Sequence, residues 1–324
     1  MKYYLESLGC PKNLVDSQGM ARVLAHLGHV PVSDPDKAQV LIVNTCAFIA
    51  DACRESLDEL REIARRKRAG QFLIAAGCLS QRWGEALRDL VPGLDGLLGT
   101  RRWSEIDTLI HQLQVQRKRR RAPLSLLGDP AFSSDGRLPH AARQGASAYV
   151  KIADGCSAPC SFCTIPLIKG PTKSRSVEEI VYDVTKLVEE GVKEVILIAQ
   201  DTTAFGRDRG ERDALPGLIK TILDTAPSLS WLRLLYAYPG HISPRLIELM
   251  SNDQRVCHYL DLPLQHAHPD VLRRMKRPAN MEQSRQLIND LRAAMPDLAL
   301  RTAFIVGFPG ETDREFEALL DFVR

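Results

Sequence analysis

Ala153-Asp154-Gly155-Cys156-Ser157-Ala158-Pro159-Cys160-Ser161-Phe162-Cys163 places three thiols within eight residues, in the spacing C-x-x-x-C-x-x-C. Soft thiolates select zinc, copper(I) or iron-sulfur clusters, and a structural zinc site or a closed cubane takes four protein ligands where this loop supplies three. One metal position stays open. An open iron is where a substrate can bind, so the spacing points to cluster chemistry. Zinc binding and a redox pair are the competing readings; zinc loops favour paired C-x-x-C units, and a redox pair needs only two cysteines.

Outward from this loop the chain alternates strands and helices. A strand at 147–152 leads into the loop, and Ser176-x-x-Glu179 opens the next helix by a capping box. Further strands are expected at 194–199, 232–237, 258–262 and 299–306, separated by helical segments rich in Leu, Ile and Val. Five βα units make a barrel-type architecture whose chemistry belongs at the C-terminal mouth, where Gln200-Asp201, Tyr238-Pro239, Gln265-His266 and Gly307-Phe308-Pro309-Gly310 stand. The last helix opens with Thr312-x-x-Glu315, carries Phe316, Leu319, Leu320 and Val323, and stops at Arg324 without a C-cap, so the barrel reads as truncated.

The N-terminal part repeats a βα rhythm three times. A strand at 2–8 turns through Gly9-Cys10 into a helix bearing Leu14, Met20, Val23, Leu24 and Leu27, which Gly28 stops. Val40-Leu41-Ile42-Val43 ends at Asn44-Thr45-Cys46, before a helix with Ser56-x-x-Glu59 early and Leu57, Leu60 and Ile63 on one face. Phe72-Leu73-Ile74-Ala75-Ala76 ends at Gly77-Cys78 and feeds a helix through Trp83, Leu87 and Leu90 that Pro92-Gly93 terminates. Such a chain builds a parallel sheet, and ligands collect beyond the carboxyl ends of its strands, where Cys10, Cys46 and Cys78 each stand. They read as a second three-cysteine cluster site near helix N-termini; three buried structural thiols are the alternative. Cys53 and Cys257 lack this placement and read as core residues. A short strand at 94–99 and a helix from Ser104, capped by Ser104-x-x-Asp107, complete the first domain.

The organisation expected is a domain at 1–116, a linker at 117–144 rich in basic residues, Pro, Gly and Ser and able to pair as a hairpin, and a second domain at 145–324. The 324 residues with 44% hydrophobic content suffice for two cores. No apolar run approaches the roughly 20 residues that span a membrane, and Glu6 stands where a signal peptide would be apolar, so a cytoplasmic protein without membrane attachment is expected. Eight cysteines in such a protein read as ligands and buried thiols rather than disulfides. A net charge of +3 is too small to imply polyanion binding by itself. The run Arg117-Lys118-Arg119-Arg120-Arg121 is either an RNA contact or a solvated linker.

The C-x-x-x-C-x-x-C loop with Phe162 before its last cysteine resembles the signature of radical S-adenosylmethionine enzymes, and Thr164-Ile165-Pro166-Leu167-Ile168-Lys169-Gly170 resembles their methylthiotransferase branch. Ser7-Leu8-Gly9-Cys10-Pro11-Lys12-Asn13, Asn44-Thr45-Cys46, Ala199-Gln200-Asp201-Thr202-Thr203, Leu262-Pro263-Leu264-Gln265-His266 and Met275-Lys276-Arg277-Pro278 resemble the RimO family of ribosomal-protein methylthiotransferases. The resemblance spans essentially the whole chain. It implies a doubly wound parallel-sheet domain followed by a partial (β/α) radical-SAM barrel, truncated before a sixth strand and a C-terminal TRAM domain. It implies transfer of a methylthio group to the β-carbon of an aspartate of ribosomal protein S twelve in the small subunit. The cofactors implied are two 4Fe-4S clusters, one on Cys156, Cys160 and Cys163 that splits S-adenosylmethionine and one on Cys10, Cys46 and Cys78 that holds the sulfur. Phe162, Gln200 and Gly307 are the implied S-adenosylmethionine contacts. An electron donor such as flavodoxin or ferredoxin is the expected partner, and the enzyme is expected as a monomer. The tRNA-modifying relatives differ, with Cys-Gln-Met-Asn at the first cluster cysteine and Gln-Asn-Val-Asn after the second barrel strand; a tRNA adenosine methylthiotransferase and a non-catalytic iron-sulfur RNA-binding fragment are the alternative readings. Pro159, Lys169 in place of arginine, and the extra thiol Cys53 depart from the family pattern, and none removes a ligand.

Overall fold

A computed structural model describes residues 1–118, 124–129 and 139–324, without the side chains of 117 and 118. It divides into two compact units, Met1–Ala142 with Leu167–Lys169, and Arg143–Pro166 with Gly170–Arg324.

In the first unit β1 (Lys2–Ser7), β2 (Val30–Pro31), β3 (Val40–Thr45), β4 (Phe72–Gly77), β5 (Gly96–Gly99) and β6 (Leu124–Leu126) form a sheet of order β2-β1-β3-β4-β5-β6. All pairs are parallel. Continuous apolar strands belong here because both faces are covered. Leu41, Val43, Leu73, Ala75 and Leu97 pack with Leu60 and Ile63 of the helix Ala50–Arg66. The alternate residues Val40, Ile42, Phe72, Ile74, Ala76 and Leu98 pack with Met20 and Leu24 of the helix Pro11–His26 and with Ile106 and Leu109 of the helix Ile106–Lys118. That is double winding, with each fully buried Leu or Ile contributing about 1.5–3 kcal/mol.

Four local expectations change. Ser56-x-x-Glu59, expected early in its helix, lies in the middle of it, since the helix starts six residues before Ser56 at Ala50, and Ser56 is fully buried. The segment after β4 is two short helices, Cys78–Trp83 and Ala86–Leu90, broken where Gly84 takes φ 54°. A 3-10 turn, Thr100–Glu105, precedes the helix Ile106–Lys118 where a capping box at Ser104 was expected. The expected linker contributes β6 to the first sheet and the first strand of the second, while the side chains of the basic run at 117–121 lie outside the described residues.

The second sheet contains β7 (Ala141–Gln144), β8 (Ser147–Lys151), β11 (Glu194–Ile198), β12 (Trp231–Leu234), β13 (Val256–Asp261) and β14 (Ala299–Arg301), in the order β14-β13-β12-β11-β8-β7. The five from β8 to β14 pair in parallel. A small antiparallel pair, β9 (Ala153–Asp154) with β10 (Lys173–Ser174), brackets the cysteine loop. The helices Val177–Glu189 and Asp313–Val323 both begin with complete capping boxes, at Ser176 and Thr312. Cys257 lies inside β13 and is half-buried, so it is a strand residue rather than a core residue. No helix among the described residues is long and apolar enough to cross a membrane.

Gly77 shows how tightly the end of β4 is built. Its φ is 91°, and a Cβ there would collide with Asn44 Oδ1 and stand 2.7 Å from the Thr45 carbonyl. Gly77→Ala is therefore expected to destabilise the first unit by about 2 kcal/mol or more, since left-handed strain and overpacking each cost about 1–3 kcal/mol. Urea unfolding of the two proteins reads this directly, and an unchanged midpoint would contradict the packing described.

Candidate metal centres

In the first unit the strand order reverses between β1 and β3, and a doubly wound sheet binds ligands in the crevice beyond such a switch point. Cys10 is the N-cap of the helix Pro11–His26 just past β1, Cys46 follows β3, and Cys78 opens the helix after β4. Polar side chains draw the three turns together. Asn13 Nδ2 donates to the carbonyls of Leu8 (3.0 Å) and Thr45 (2.8 Å), while its Oδ1 accepts from the Cys78 thiol at 3.7 Å. Asn44 Nδ2 donates to the Asn13 carbonyl and to Ser17 Oγ, both at 2.9 Å. Ser56 Oγ clamps Cys46, accepting from its N–H and donating to its carbonyl, both at 2.9 Å. Gly9, at φ 91°, has room for no side chain, since a Cβ would sit 3.0 Å from Cys46 Sγ.

Burial pushes the Cys78 thiol up to about 12, with Lys169 countering and the neighbouring Cys10 and Cys46 adding to the rise. Lys169 is itself buried, with Nζ 3.5 Å from Asp16 Oδ2. Burial also raises Cys46, and Cys10 contributes. Cys46 and Cys78 thus sit where the neutral form is favoured, and Cys10 lies within electrostatic reach of both. A metal that binds them must displace their protons, which is how thiolate sites couple loading to proton release. Cys53, on the helix Ala50–Arg66, is buried in the same apolar layer that receives Cys78, with Arg82 Nη1 3.8 Å from its Sγ.

In the second unit, each sulfur of the loop after β9 has its own donor. The Ala158 N–H points at Cys156 Sγ (3.4 Å), the Ile165 N–H at Cys163 Sγ (3.5 Å), and Arg277 Nη1 at Cys160 Sγ (3.8 Å). Donors aimed at sulfur stabilise thiolate charge, so this donor set suits thiolate ligands to a cluster. Burial raises Cys156 and Cys163, and Arg277 counters both. Gly155 permits the close approach of the Gly170 and Pro171 carbonyls that folds the loop back: its φ is 71°, and a Cβ would stand 2.7 Å from the Gly170 oxygen.

Beside the loop lies a cavity of about 300 Å³ lined by residues that include Cys156, Pro159, Thr172, Asp201, Tyr238 and His241. Asp201 is buried; Oδ2 accepts from His241 Nδ1 at 2.8 Å, and Oδ1 accepts from Thr203 Oγ1 at 2.6 Å. Thr203 Oγ1 in turn accepts from the Tyr238 N–H at 3.0 Å, tying the loops after β11 and β12 together. Tyr236 (φ 64°) and Gln265 (φ 73°) hold left-handed backbone near the same strand ends, a strain that recurs at functional sites.

The six cysteines thus fall into two groups of three, one in each unit. Phe162 lies half-buried within the loop and Gln200 half-buried just past β11, but the cavity is lined by its neighbour Asp201. Gly307 is exposed at φ 70°, with nothing within 4 Å of where a Cβ would stand. Asn13, Ser56, His241 and Arg277 were not singled out for these roles. Asn13 and Arg277 sit in quoted motifs, the one signal available; Ser56 and His241 take their meaning from contacts made across the fold.

Residues 2–99 match the family described as Uncharacterized protein family UPF0004, and residues 150–323 match the Radical SAM superfamily. The chain is 48% identical over 340 residues to the ribosomal protein uS12 methylthiotransferase RimO of Roseiflexus sp. (strain RS-1), covering all of this chain and 72% of that protein. It is 46% identical over 335 residues to the protein of the same name from Chloroflexus aurantiacus, covering all of this chain and 73% of the relative. Among solved structures it is similar to the radical S-adenosylmethionine methyltransferase TsrM from Kitasatospora setae, with a TM-score of 0.68 at 15% identity over 99% of this chain and 70% of that one. The cobalamin-dependent S-adenosylmethionine radical enzyme OxsB is similar too, with a TM-score of 0.67 at 11% identity over 99% of this chain and 51% of that one. These two likenesses show the fold, and the curated relatives show the family: the chain belongs to the RimO methylthiotransferases of the radical SAM superfamily.

Proposed function

We propose that this enzyme adds a methylthio group to the β-carbon of an aspartate in ribosomal protein uS12, the protein named in its relatives. The observation that carries the reading is the gathering of two three-thiol groups, one beyond the switch point of the first unit's sheet and one in the loop after β9 of the second unit. The first compact unit is the methylthiotransferase domain and the second the radical-SAM part.

Two 4Fe-4S clusters and S-adenosylmethionine would supply, when bound, the electron, the radical and the sulfur that an unactivated carbon requires. Cys156, Cys160 and Cys163 hold the radical-generating cluster, and the N–H groups of Ala158 and Ile165 with Arg277 meet their charge. Three protein ligands leave one position for S-adenosylmethionine. Asp201, Tyr238 and His241 wall the adjoining cavity, whose volume is at the lower end for a small-molecule site. Phe162, Gln200 and the Gly307 loop are the residues that would cradle the nucleoside and amino acid parts of S-adenosylmethionine. Cys10, Cys46 and Cys78 hold the sulfur-bearing cluster, with Asn13 and Ser56 fixing the turns that carry them. The protein works as a cytoplasmic monomer with a flavodoxin or ferredoxin as electron donor, since cysteines of this kind require a reducing compartment.

Two outcomes follow. Cys160→Ala should abolish reductive cleavage of S-adenosylmethionine by the reconstituted enzyme, whereas Cys46→Ala should keep cleavage within about threefold and lose sulfur insertion, because the radical chemistry resides in one cofactor site. Chromatography of cleavage products separates the two, and the reverse pattern would exchange the roles. Mass spectrometry of a deletion strain reads the substrate: uS12 should be lighter by about 46 Da, the methylthio group that cofactor chemistry no longer installs. Unchanged uS12 with methylthioadenosine missing from tRNA would move the enzyme to the tRNA-modifying branch.

A further inference from the structure

Arg277 reaches the Cys156–Cys163 loop from more than a hundred residues away in sequence, just beyond the helix Pro269–Arg274 and the left-handed turn at Lys276 (φ 53°). The turn is docked on the loop by Ser161, whose N–H donates to the Met275 carbonyl at 3.1 Å and whose Oγ donates to the Arg274 carbonyl at 2.8 Å. Arg277 itself is spread over three partners. Nη1 lies 3.8 Å from Cys160 Sγ, Nη2 donates to the Pro263 carbonyl at 2.6 Å, and Cζ stands 4.1 Å from the centre of the Tyr238 ring. Its Nε is buried and has no hydrogen-bond partner.

A guanidinium is a rigid fork of five donors that is always charged, and stacking on an aromatic face leaves its edge to find acceptors. Here that edge faces sulfur. Thiolate-bound clusters carry net negative charge, and their reduction potentials follow that charge and the hydrogen bonds to their sulfurs. One-electron reduction adds a further negative charge, which a fixed cation at hydrogen-bond range favours, and more strongly in a half-buried site than in water. The loop's other two sulfurs receive backbone N–H groups, which are neutral; Cys160 receives the cation.

We infer that Arg277 is a positioning residue that sets the potential of the radical-generating site, donating to the Cys160 sulfur and stabilising the reduced state through its charge. This rests on the reading that Cys156, Cys160 and Cys163 hold a cluster, and the test keeps the two apart.

The test uses the full chain carrying Cys10→Ala, Cys46→Ala and Cys78→Ala, so that one cluster is observed, reconstituted anaerobically without S-adenosylmethionine. Arg277→Met, Arg277→Gln and Arg277→Lys are each added, iron is measured, and reduction is followed by electron paramagnetic resonance against applied potential. At the potential that half-reduces the Arg277 protein, the ratio of reduced to oxidised cluster should fall about tenfold in Arg277→Met, a shift of about 59 mV for one electron. Arg277→Lys, which keeps the charge, should stay within about threefold. A full iron complement in Arg277→Met with an unchanged ratio overturns the inference. If Arg277→Met holds no iron, Arg277→Gln is read against the same criterion. Loss of iron from both neutral variants while Arg277→Lys retains it supports the requirement for charge; loss from all three assigns Arg277 to packing alone and overturns the inference. Iron absent from the Arg277 parent itself would instead remove the cluster reading.

Discussion

A thiolate buried at the end of a parallel sheet is costly unless positive charge or a donor meets it, and both units are organised around that constraint. In the first, the strands deliver sulfur to a place so well packed that burial raises Cys78 to about 12. Burial raises Cys46 there as well, so a metal that binds these two thiols must displace their protons. In the second, the loop brings its own compensation, since backbone N–H groups and a guanidinium already point at the three sulfurs.

The two solutions follow from chain connectivity. Cys156, Cys160 and Cys163 are neighbours in sequence, so one loop folded back at Gly155 and bracketed by β9 and β10 gathers them. Cys10, Cys46 and Cys78 are gathered only by the fold, and the polar residues between them serve as fasteners. Asn13 joins the turns after β1 and β3 and touches the thiol after β4; Thr45 Oγ1 donates to the Ala76 carbonyl at 2.5 Å and accepts from the Leu79 N–H at 3.2 Å. Such a network is buried, so each member depends on the others for satisfied hydrogen bonds.

Much of this was legible in the residues. Val40 to Val43 and Phe72 to Ala76 are apolar without alternation because the sheet is covered on both faces, and a cysteine follows the carboxyl end of each strand. Capping boxes at Ser176 and Thr312 stand where their spacing put them. What escaped depends on tertiary contact. Ser56-x-x-Glu59 has the form of a helix start, yet Ser56 is a buried clamp on Cys46. β6 is three residues long at a sheet edge, amid basic and Pro-Gly-rich sequence, too short for a periodic signal. Arg277 stood in view as part of a motif, but its contact with Cys160 spans 117 positions and only the fold creates it.

The central claim is that the six gathered cysteines hold two cubanes, and iron and acid-labile sulfide analysis after anaerobic reconstitution tests it most directly. About eight irons and eight sulfides per chain are predicted, four of each for each cubane, with half remaining when Cys10, Cys46 and Cys78 are all replaced by Ala. Stoichiometric zinc without inorganic sulfide would contradict the account.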